Sequence, residues 1–177
     1  MALRMSESGR TVLQTERLTL SEAAEADSAF VLELLNSRGF IENIGDRGVR
    51  TLEAAGAYLR DRVLASYRDH GFGMWIVVET SSGAAVGLAG LVQREGLEVP
   101  DIGYAFLPST WGRGYAQEAA AAVVAHARER LGLGSLAAIT SPGNHASMAV
   151  LKKVGFVYRG TIQLPGIDTE STYFVHE

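Results

Sequence analysis

The sequence predicts a single domain of the mixed α/β class, in which a mostly antiparallel sheet is flanked by helices. The chain has 177 residues, 47% of them hydrophobic, which is enough to fill one core. Helical and β-rich segments alternate along it without an internal repeat or a linker. Three β-rich runs in its middle are joined by short turns, as in a meander. We therefore predict one domain over residues 1–177, with a flexible start over residues 1–10.

The first part of the chain combines one predicted strand with two predicted helices. Residues 12–20 alternate between apolar and polar side chains, as in a half-buried strand. Apolar residues recur with helical spacing over residues 25–36 and again over residues 51–68. The second helix has an N-cap residue in Thr51 and ends before Gly71. Two helices are therefore expected between the first strand and the meander.

The rest of the chain is richer in strands. The three runs of the meander cover residues 74–80, 84–92 and 98–107, with turns at 81–83 and 94–97. The later elements are expected to be a helix over 115–131, a strand over 136–141, a helix over 146–154, and strands over 156–158 and 172–175. Strands and helices that alternate along the chain in this way favour a sheet with helices packed on it.

Composition excludes several classes of protein. The chain has no cysteine, which rules out disulfides, thiolate zinc sites and a thiol nucleophile. Its net charge of −4 provides no basic surface for nucleic acid. No apolar run reaches the roughly 18 residues that span a membrane, and the first ten residues do not resemble a secretory signal. We expect a cytoplasmic protein that binds neither nucleic acid nor membrane.

The most informative motif is Trp-Gly-Arg-Gly-Tyr-Ala-Gln-Glu-Ala at residues 111–119. It follows the last strand of the meander and leads into an alanine-rich helix, so several backbone N–H groups at the helix start lack an intrahelical partner. Glycines allow close backbone approach, and the helix dipole favours an anion there. The alternative is an ordinary Gly-rich turn. No Gly-Lys-Ser/Thr follows and residue 117 is not glycine, so a P-loop and a dinucleotide-binding turn are excluded.

A second motif, Asn-His-Ala-Ser at 144–147 followed by Gly-Phe at 155–156, makes the combination specific. Together the two motifs resemble the GCN5-related N-acetyltransferase (GNAT) superfamily. With Gln-Thr-Glu-Arg-Leu-Thr-Leu at 14–20, they are most similar to its RimJ/RimL-like branch, which acetylates the N-termini of ribosomal proteins. The resemblance covers residues 12–175 and implies a six- to seven-stranded sheet with about four helices, splayed open where acetyl-CoA, the cosubstrate, binds.

The resemblance also implies a set of cofactor contacts. The pantetheine arm would pair with free backbone groups of Ala105, Phe106 and Leu107, much as an added strand would. Its pyrophosphate would lie on the loop residues Gly112, Arg113, Gly114, Tyr115 and Ala116. Arg113 either screens the phosphates or is a solvated surface residue. Glu118 is interpreted as favouring the helix dipole.

Catalytic roles are assigned to two residues. Ser147 matches the branch's Asn-x-x-Ser pattern and would donate a proton or a hydrogen bond to the departing thiolate; the alternative is a helix serine that bonds only to backbone. Asp101 is the first candidate to accept the amine proton through water, and the alternative is a carboxylate in solvent. Asn144 is expected to cap the helix and contact the pantetheine arm.

Two positions depart from patterns common in the superfamily. A glutamate often found at the position of Arg159 is missing, and a tyrosine that often acts as general acid is replaced by Leu151. Tyr104 and Tyr158 remain possible substitutes, although strand aromatics more often pack. The histidines show no metal-ligand spacing, so we expect no metal.

The amine acceptor is expected to bind the loop at residues 39–48, where Glu42 and Asp46 would attract a cation, and to contact Tyr104. Solvated loop carboxylates are the commoner alternative. Deprotonating a lysine-like amine costs about 4 to 5 kcal/mol, but a protein α-amine only about 1 kcal/mol. The acceptor therefore decides how strong a base is required. The resemblance to the RimJ/RimL-like branch favours a protein N-terminus, acetylated by direct attack in a ternary complex. A small amine, such as a polyamine, an antibiotic or an amino-acid derivative, and a noncatalytic acyl-CoA sensor stay open, as does the choice between monomer and homodimer.

Overall fold

The computed structural model describes residues 9–177, and residues 1–8 of the predicted flexible start lie outside the described part. Eight strands form one sheet in the order β1-β2-β3-β4-β5-β6-β8-β7. The strands are β1 (Thr11–Gln14), β2 (Leu18–Ser21), β3 (Met74–Glu79), β4 (Ala84–Val92), β5 (Asp101–Phe106), β6 (Leu136–Thr140), β7 (Val157–Ile162) and β8 (Ser171–His176). Neighbours pair antiparallel except β5 and β6, which are parallel. The mixed, mostly antiparallel class is confirmed, with more strands than the predicted six to seven.

Helices cover both faces of this sheet. They are α1 (Ser28–Leu35), α2 (Arg38–Asn43), α3 (Leu52–Tyr58), α4 (Ala65–His70), α5 (Tyr115–Glu129) and α6 (His145–Lys153). A π-helical segment, Leu59–Leu64, joins α3 to α4. One short 3-10 turn, Glu25–Asp27, precedes α1, and another, Pro108–Thr110, lies between β5 and α5. The predicted helix over residues 51–68 is confirmed, with the Thr51 side chain accepting from Ala54 N–H and Gly71 left-handed at its end.

Two predictions about the first part of the chain are wrong. Residues 12–20 form two strands, because Thr15 N–H donates to Leu18 C=O and the Leu18 N–H donates back to Thr15 Oγ1, closing a turn between β1 and β2. The connection after α1 contains the additional helix α2, capped by the Ser37 side chain. Its six residues are too few for periodicity to distinguish a helix from a loop.

Alternation along the strands divides the core between the two faces. Trp75, Val77 and Ala89 pack with α5 and α6, whereas Ile76 and Leu88 pack with α1 to α4. A smaller cluster of Leu97, Ala137 and Leu164 lies under the loops near β6. The helices therefore hold the central strands from both sides. Among the described strands, β5 and β6 form the one parallel pair of the sheet.

Candidate active site

Strands β5 and β6 meet at a single position and separate beyond it. The parallel ladder contains one pair, Asp101 with Ala137, supported by the hydrogen bond from Ala137 N–H to Pro100 C=O at 2.9 Å. A parallel pair normally continues with evenly spaced bonds, so its interruption leaves backbone groups on both strands facing a gap. The gap lies where the resemblance predicted a splayed sheet.

The direction of the β5 backbone groups decides which of them face this gap. Leu107 N–H donates to Val86 C=O at 2.9 Å, so its amide is directed toward β4. Because successive peptide groups alternate in direction, Ala105 also faces β4, where it is paired with Leu88, and Tyr104 and Phe106 face the gap. Of the three residues predicted to offer free backbone groups, Phe106 is therefore the one whose groups point away from β4. Its C=O already accepts from Trp111 Nε1 at 2.9 Å, so its N–H is the group left for a ligand in the gap.

Residues 111–114, hereafter the phosphate loop, follow the end of β5 and lead into α5. Gly112 and Gly114 both have φ of +80°, a left-handed conformation that favours glycine. A Cβ atom at Gly112 would meet no atom within 4 Å, so the loop presents bare backbone to open space. The first intrahelical bond of α5 runs from Glu118 N–H to Gly114 C=O at 3.1 Å. The N–H groups of Tyr115, Ala116 and Gln117 precede that bond and are available to an anion.

Arg17 supports the phosphate loop from the β1–β2 turn, and sequence reasoning missed it. Its guanidinium donates to Arg113 C=O at 2.8 Å, pairs with Glu118 at 2.6 Å, and lies 4.8 Å from the centre of the Tyr115 ring. Glu118 also accepts from Thr15 Oγ1 at 2.6 Å and from Arg17 N–H at 2.9 Å. Burial alone would raise the pKa of Glu118, but these hydrogen bonds lower it overall. Glu118 thus ties α5 to the first hairpin, beyond its predicted interaction with the helix dipole.

Arg113 and Tyr115 are linked on the other side of the loop to Glu79, the last residue of β3. The Tyr115 hydroxyl donates to Glu79 Oε1, and Arg113 Nη1 lies 3.4 Å from the same oxygen. Hydrogen bonds from Ser82 and Tyr115 lower the pKa of Glu79. The Arg113 side chain therefore has one carboxylate partner, and about half of its surface is exposed to solvent.

Ser147 and Tyr104 meet across the gap. The Tyr104 hydroxyl lies 2.9 Å from Ser147 Oγ and donates to Ser147 C=O at 3.1 Å. Burial raises the pKa of Tyr104 to about 12, so its phenol is neutral at physiological pH. Asn144 caps α6, since its Oδ1 accepts from Ser147 N–H at 3.2 Å. The first turn of α6 therefore holds the Ser147 hydroxyl in the gap, with a tyrosine partner that no spacing in the sequence reveals.

Asp101 lies at the point where β5 and β6 part. Its side chain is 1% exposed, which contradicts the alternative of a carboxylate in solvent. Arg94 Nε and Nη2 each lie 3.3 Å from one of its oxygens. Burial raises the pKa of Asp101, while the charge and hydrogen bonds of Arg94 act in the opposite direction. A raised pKa makes the carboxylate a stronger base, and the arginine helps to keep it ionised.

The acceptor segment, residues 38–50, consists of α2 and the loop after it. Both predicted acceptor carboxylates have arginine partners here, Glu42 with Arg38 at 2.6 Å and Asp46 with Arg50 at 2.6 Å. The hydrogen bond from Arg50 lowers the pKa of Asp46. A cationic amine would have to compete with these arginines, so the assignment of Glu42 and Asp46 to the acceptor stays a prediction.

The two positions that depart from the superfamily patterns lie in different surroundings. Leu151 is 1% exposed and belongs to the core, whereas Arg159 is exposed on β7. Tyr158 is half exposed beside Phe174. Within residues 9–177 no cluster of three His, Asp or Glu side chains has the arrangement of a metal site. No helix in the same range is long and apolar enough to span a membrane.

Comparison with known proteins identifies the family. Residues 17–157 match the model of the acetyltransferase (GNAT) domain. The uncharacterized protein YkkB of Bacillus subtilis is 39% identical over 98 residues, covering 54% of this chain and 57% of YkkB, so the matched part is little more than half of that relative. The uncharacterized N-acetyltransferase YoaA of the same organism is 24% identical, covering 86% of each chain.

Solved structures share the fold across proteins with different acceptors. An acetyltransferase from Agrobacterium tumefaciens superposes with a TM-score of 0.79 at 27% identity, covering 93% of both chains. RimL, the ribosomal L7/L12 α-N-protein acetyltransferase in complex with coenzyme A, has a TM-score of 0.79 at 18% identity, covering 94% of this chain and 97% of RimL. AAC(6′)-Ib with ribostamycin and coenzyme A has a TM-score of 0.75 at 21% identity, covering 91% and 93%. Fold alone therefore does not determine the acceptor.

Proposed function

The chain belongs to the GNAT acetyltransferase family, and we propose that it transfers the acetyl group of acetyl-CoA to the α-amine of a protein N-terminus. The observation that carries this proposal is the juxtaposition of three features: the gap between β5 and β6, the bare backbone of the phosphate loop, and Ser147 directed into the gap. Coenzyme A or acetyl-CoA is bound in structures that share this fold, which supports acetyl-CoA as the cosubstrate.

In this proposal the backbone positions the cosubstrate. The pyrophosphate accepts hydrogen bonds from the N–H groups of residues 112–116, where left-handed glycines and the start of α5 favour an anion. The pantetheine amides occupy the gap beside Phe106 and Asn144, in the position of a missing strand. Arg113 and Arg17 flank the loop, but each is already paired with a carboxylate, Glu79 and Glu118 respectively, so the peptide N–H groups contribute most to holding the anion.

The acetyl transfer is a direct attack within a ternary complex. The amine lone pair attacks the thioester carbonyl, the C–N bond forms, and the tetrahedral intermediate collapses with cleavage of the C–S bond. Amides of β5 that face the gap stabilise the oxyanion. Ser147 Oγ–H donates to the departing sulfur. For this step the Tyr104 O–H turns from Ser147 C=O to Ser147 Oγ, 2.9 Å away, which frees the serine proton and orients the hydroxyl. The proton lost by the amine passes through water to Asp101, which releases it to solvent, and Ser147 regains from solvent the proton it gave to the sulfur. The products are the acetamide and CoA thiol, and the enzyme returns to its starting state.

The acceptor class is inferred from the limited strength of the available base, because burial raises the pKa of Asp101 while Arg94 opposes that rise. Asp101 is the one carboxylate at the point of separation, and it is shared with Arg94. An α-amine with a pKa near 8 needs only about 1 kcal/mol of help at neutral pH, whereas a polyamine or lysine needs about 4 to 5 kcal/mol. The site therefore suits an α-amine better. A small amine remains the alternative, because proteins of this fold include a spermidine N-acetyltransferase chimera and AAC(6′)-Ib.

Release of CoA thiol from acetyl-CoA tests the proposal directly. The reaction is followed with a thiol reagent against N-terminal peptides, polyamines and aminoglycosides, and the absence of cysteine removes protein background. We expect release with N-terminal peptides that begin with a free α-amine and none with the same peptides after chemical acetylation. Release only with polyamines or aminoglycosides would show that the acceptor is a small amine and not a protein N-terminus. Binding of acetyl-CoA without release to any acceptor would favour a noncatalytic sensor.

A further inference from the structure

Trp111 joins the phosphate loop to the acceptor segment. It follows the 3-10 turn after β5 and immediately precedes Gly112. Its indole N–H donates to Phe106 C=O at 2.9 Å, which fixes the ring at the end of β5. The six-membered ring of the indole, at Cζ2 and Cη2 next to the N–H, lies against Gly39 of α2, where a Cβ atom would be 2.3 Å from Cζ2 of Trp111. Only a residue without a side chain leaves room for the indole in this position.

The other end of α2 is attached to β6. Ser141, the residue after that strand, donates from Oγ to Asn43 C=O at 2.7 Å. Asn43 Nδ2 donates in turn to Gly39 C=O at 2.9 Å, which links the two attachment points within the helix. The short helix α2 therefore crosses from the end of β5 to the end of β6, the two strands between which acetyl-CoA is proposed to bind.

We propose that Trp111 is a positioning residue that transmits occupancy of the phosphate loop to α2, so that bound CoA orders the acceptor segment. This inference rests on the proposed function. Gly112, the next residue, is left-handed and open to solvent, so an anion on its N–H restrains the peptide that carries the indole. Trp111 is 55% exposed and is held by the Phe106 bond and the Gly39 contact, so movement of the loop is passed to α2. By linkage, an ordered α2 strengthens CoA binding in the same proportion.

Hydrogen exchange of the whole protein, with and without CoA, tests this coupling. The reporting amides are that of Ile41, which donates to Ser37 at the start of α2, and those of Ile44 and Gly45, which donate to Phe40 and close its end. In the wild type we expect CoA to slow exchange both at residues 112–118 and at these amides, the latter by about fivefold or more, the low end of typical coupling. In Trp111→Ala the loop should still be protected, and the protection of α2 should be lost.

Further variants separate coupling from general loss of structure. Trp111→Phe keeps a ring against Gly39 without the N–H and should retain part of the effect, whereas Gly39→Ala displaces the ring without changing Trp111 and should abolish it. The matched control is Leu52→Ala, because Leu52 is 58% exposed on α3 and should leave the coupling intact. In turnover, Trp111→Ala should raise the KM of an N-terminal peptide and, by the same linkage, raise the KM of acetyl-CoA by no more than the same factor.

The outcomes distinguish this inference from the proposed function. Failure of CoA to slow exchange at residues 112–118 in the wild type would contradict the cofactor site itself. Protection of the loop with equal protection of α2 in the wild type and in Trp111→Ala would overturn the coupling and leave the cofactor site standing. If Trp111→Ala does not fold, Gly39→Ala breaks the same contact from the side of α2, and the same loss of protection is expected.

Discussion

The phosphate loop and the acceptor segment are neighbours in space, but they use different parts of the chain to form a binding surface. The phosphate loop presents peptide N–H groups, and its shape depends on two left-handed glycines and the start of α5. The acceptor segment presents side chains, and its carboxylates Glu42 and Asp46 are already paired with arginines. A surface made of backbone recognises a constant ligand, whereas one made of paired side chains can be altered by few substitutions. This contrast explains how one fold retains CoA while its acceptors differ.

The largest effect is expected at Ser147, which lies beside Tyr104 and belongs to neither region. Ser147→Ala should lower kcat about 100-fold, the low end for loss of a group that transfers a proton, with little change in the KM of acetyl-CoA. Ser147→Thr keeps the hydroxyl and should retain much of the activity. Steady-state thiol release measures both variants.

Tyr104 provides an internal check on this role. Tyr104→Phe should lower kcat less than Ser147→Ala, and the double variant should be no slower than Ser147→Ala alone, because Tyr104 acts through the serine. Additive effects in the double variant would show that Tyr104 acts independently. An unchanged kcat in Ser147→Ala would remove the serine from the mechanism.

A steric substitution in the phosphate loop comes next. Gly112→Val places a side chain in the open space where the anion is proposed to bind, and it should weaken acetyl-CoA binding by roughly tenfold or more, measured by calorimetry. The matched control is Gly132→Val beyond the far end of α5, because Gly132 is also left-handed, with φ of +67°, and a Cβ atom there also meets nothing within 4 Å. Both variants should lose about 1 to 2 kcal/mol of stability from backbone strain. Equal loss of acetyl-CoA affinity in the two variants would contradict the loop's role.

This backbone-built part of the molecule is also the part that sequence reasoning predicted well. The glycine spacing, the alanine-rich helix and the Asn-x-x-Ser pattern are local signals, and the structure has the corresponding turn, helix and cap. The direction of the β5 peptide groups was not predictable in this way, because it depends on the register with β4. The burial of Asp101 was likewise not predictable, and a carboxylate in solvent was the alternative. In the structure Arg94 and the packing of β6 enclose it.

The acceptor segment shows where local signals end. Helix α2 is too short to produce a readable period, and its position depends on Gly39 meeting Trp111, a contact between residues far apart in the chain. Arg17 was missed for the same reason, since its partners Arg113 and Glu118 are about a hundred residues away. Such contacts are products of the tertiary fold, which single-sequence patterns do not record.

The pH dependence of catalysis distinguishes Asp101 from a structural carboxylate. Below the pKa of an α-amine acceptor, log(kcat/KM) should rise with a slope of about one, and below the pKa of Asp101 the slope should steepen to about two. Because Arg94 lowers the pKa of Asp101, Arg94→Met should move the steeper region to higher pH. Asp101→Asn should lose the steeper region altogether. A profile in Asp101→Asn that keeps it would exclude Asp101 as the proton acceptor.

A smaller effect, on stability, is expected from the link between α5 and the first hairpin. Glu118→Gln removes the ion pair with Arg17 and weakens the bonds from Thr15, which should cost about 1 to 2 kcal/mol in the free energy of unfolding at neutral pH. The folded-state pKa of Glu118 is lowered, so its stabilisation is present above the unfolded-state pKa and is lost as pH falls through the folded-state value. Urea denaturation should therefore show the difference shrinking in acid. Glu129→Gln, exposed at the end of the same helix, should show neither effect.

The smallest effects are expected from the acceptor carboxylates. Glu42→Gln and Asp46→Asn should change the KM of an N-terminal peptide less than about threefold, because each carboxylate is already paired with an exposed arginine and such pairs contribute little. The same measurement with spermidine tests the opposite view of this segment. A polycation gains most from free carboxylates. A roughly tenfold rise in the KM of spermidine in these two variants, with no rise for the peptide, would mean that the acceptor displaces the arginines from Glu42 and Asp46. In that case the acceptor segment would recognise charge, and a small polyamine would replace the protein N-terminus as the favoured acceptor.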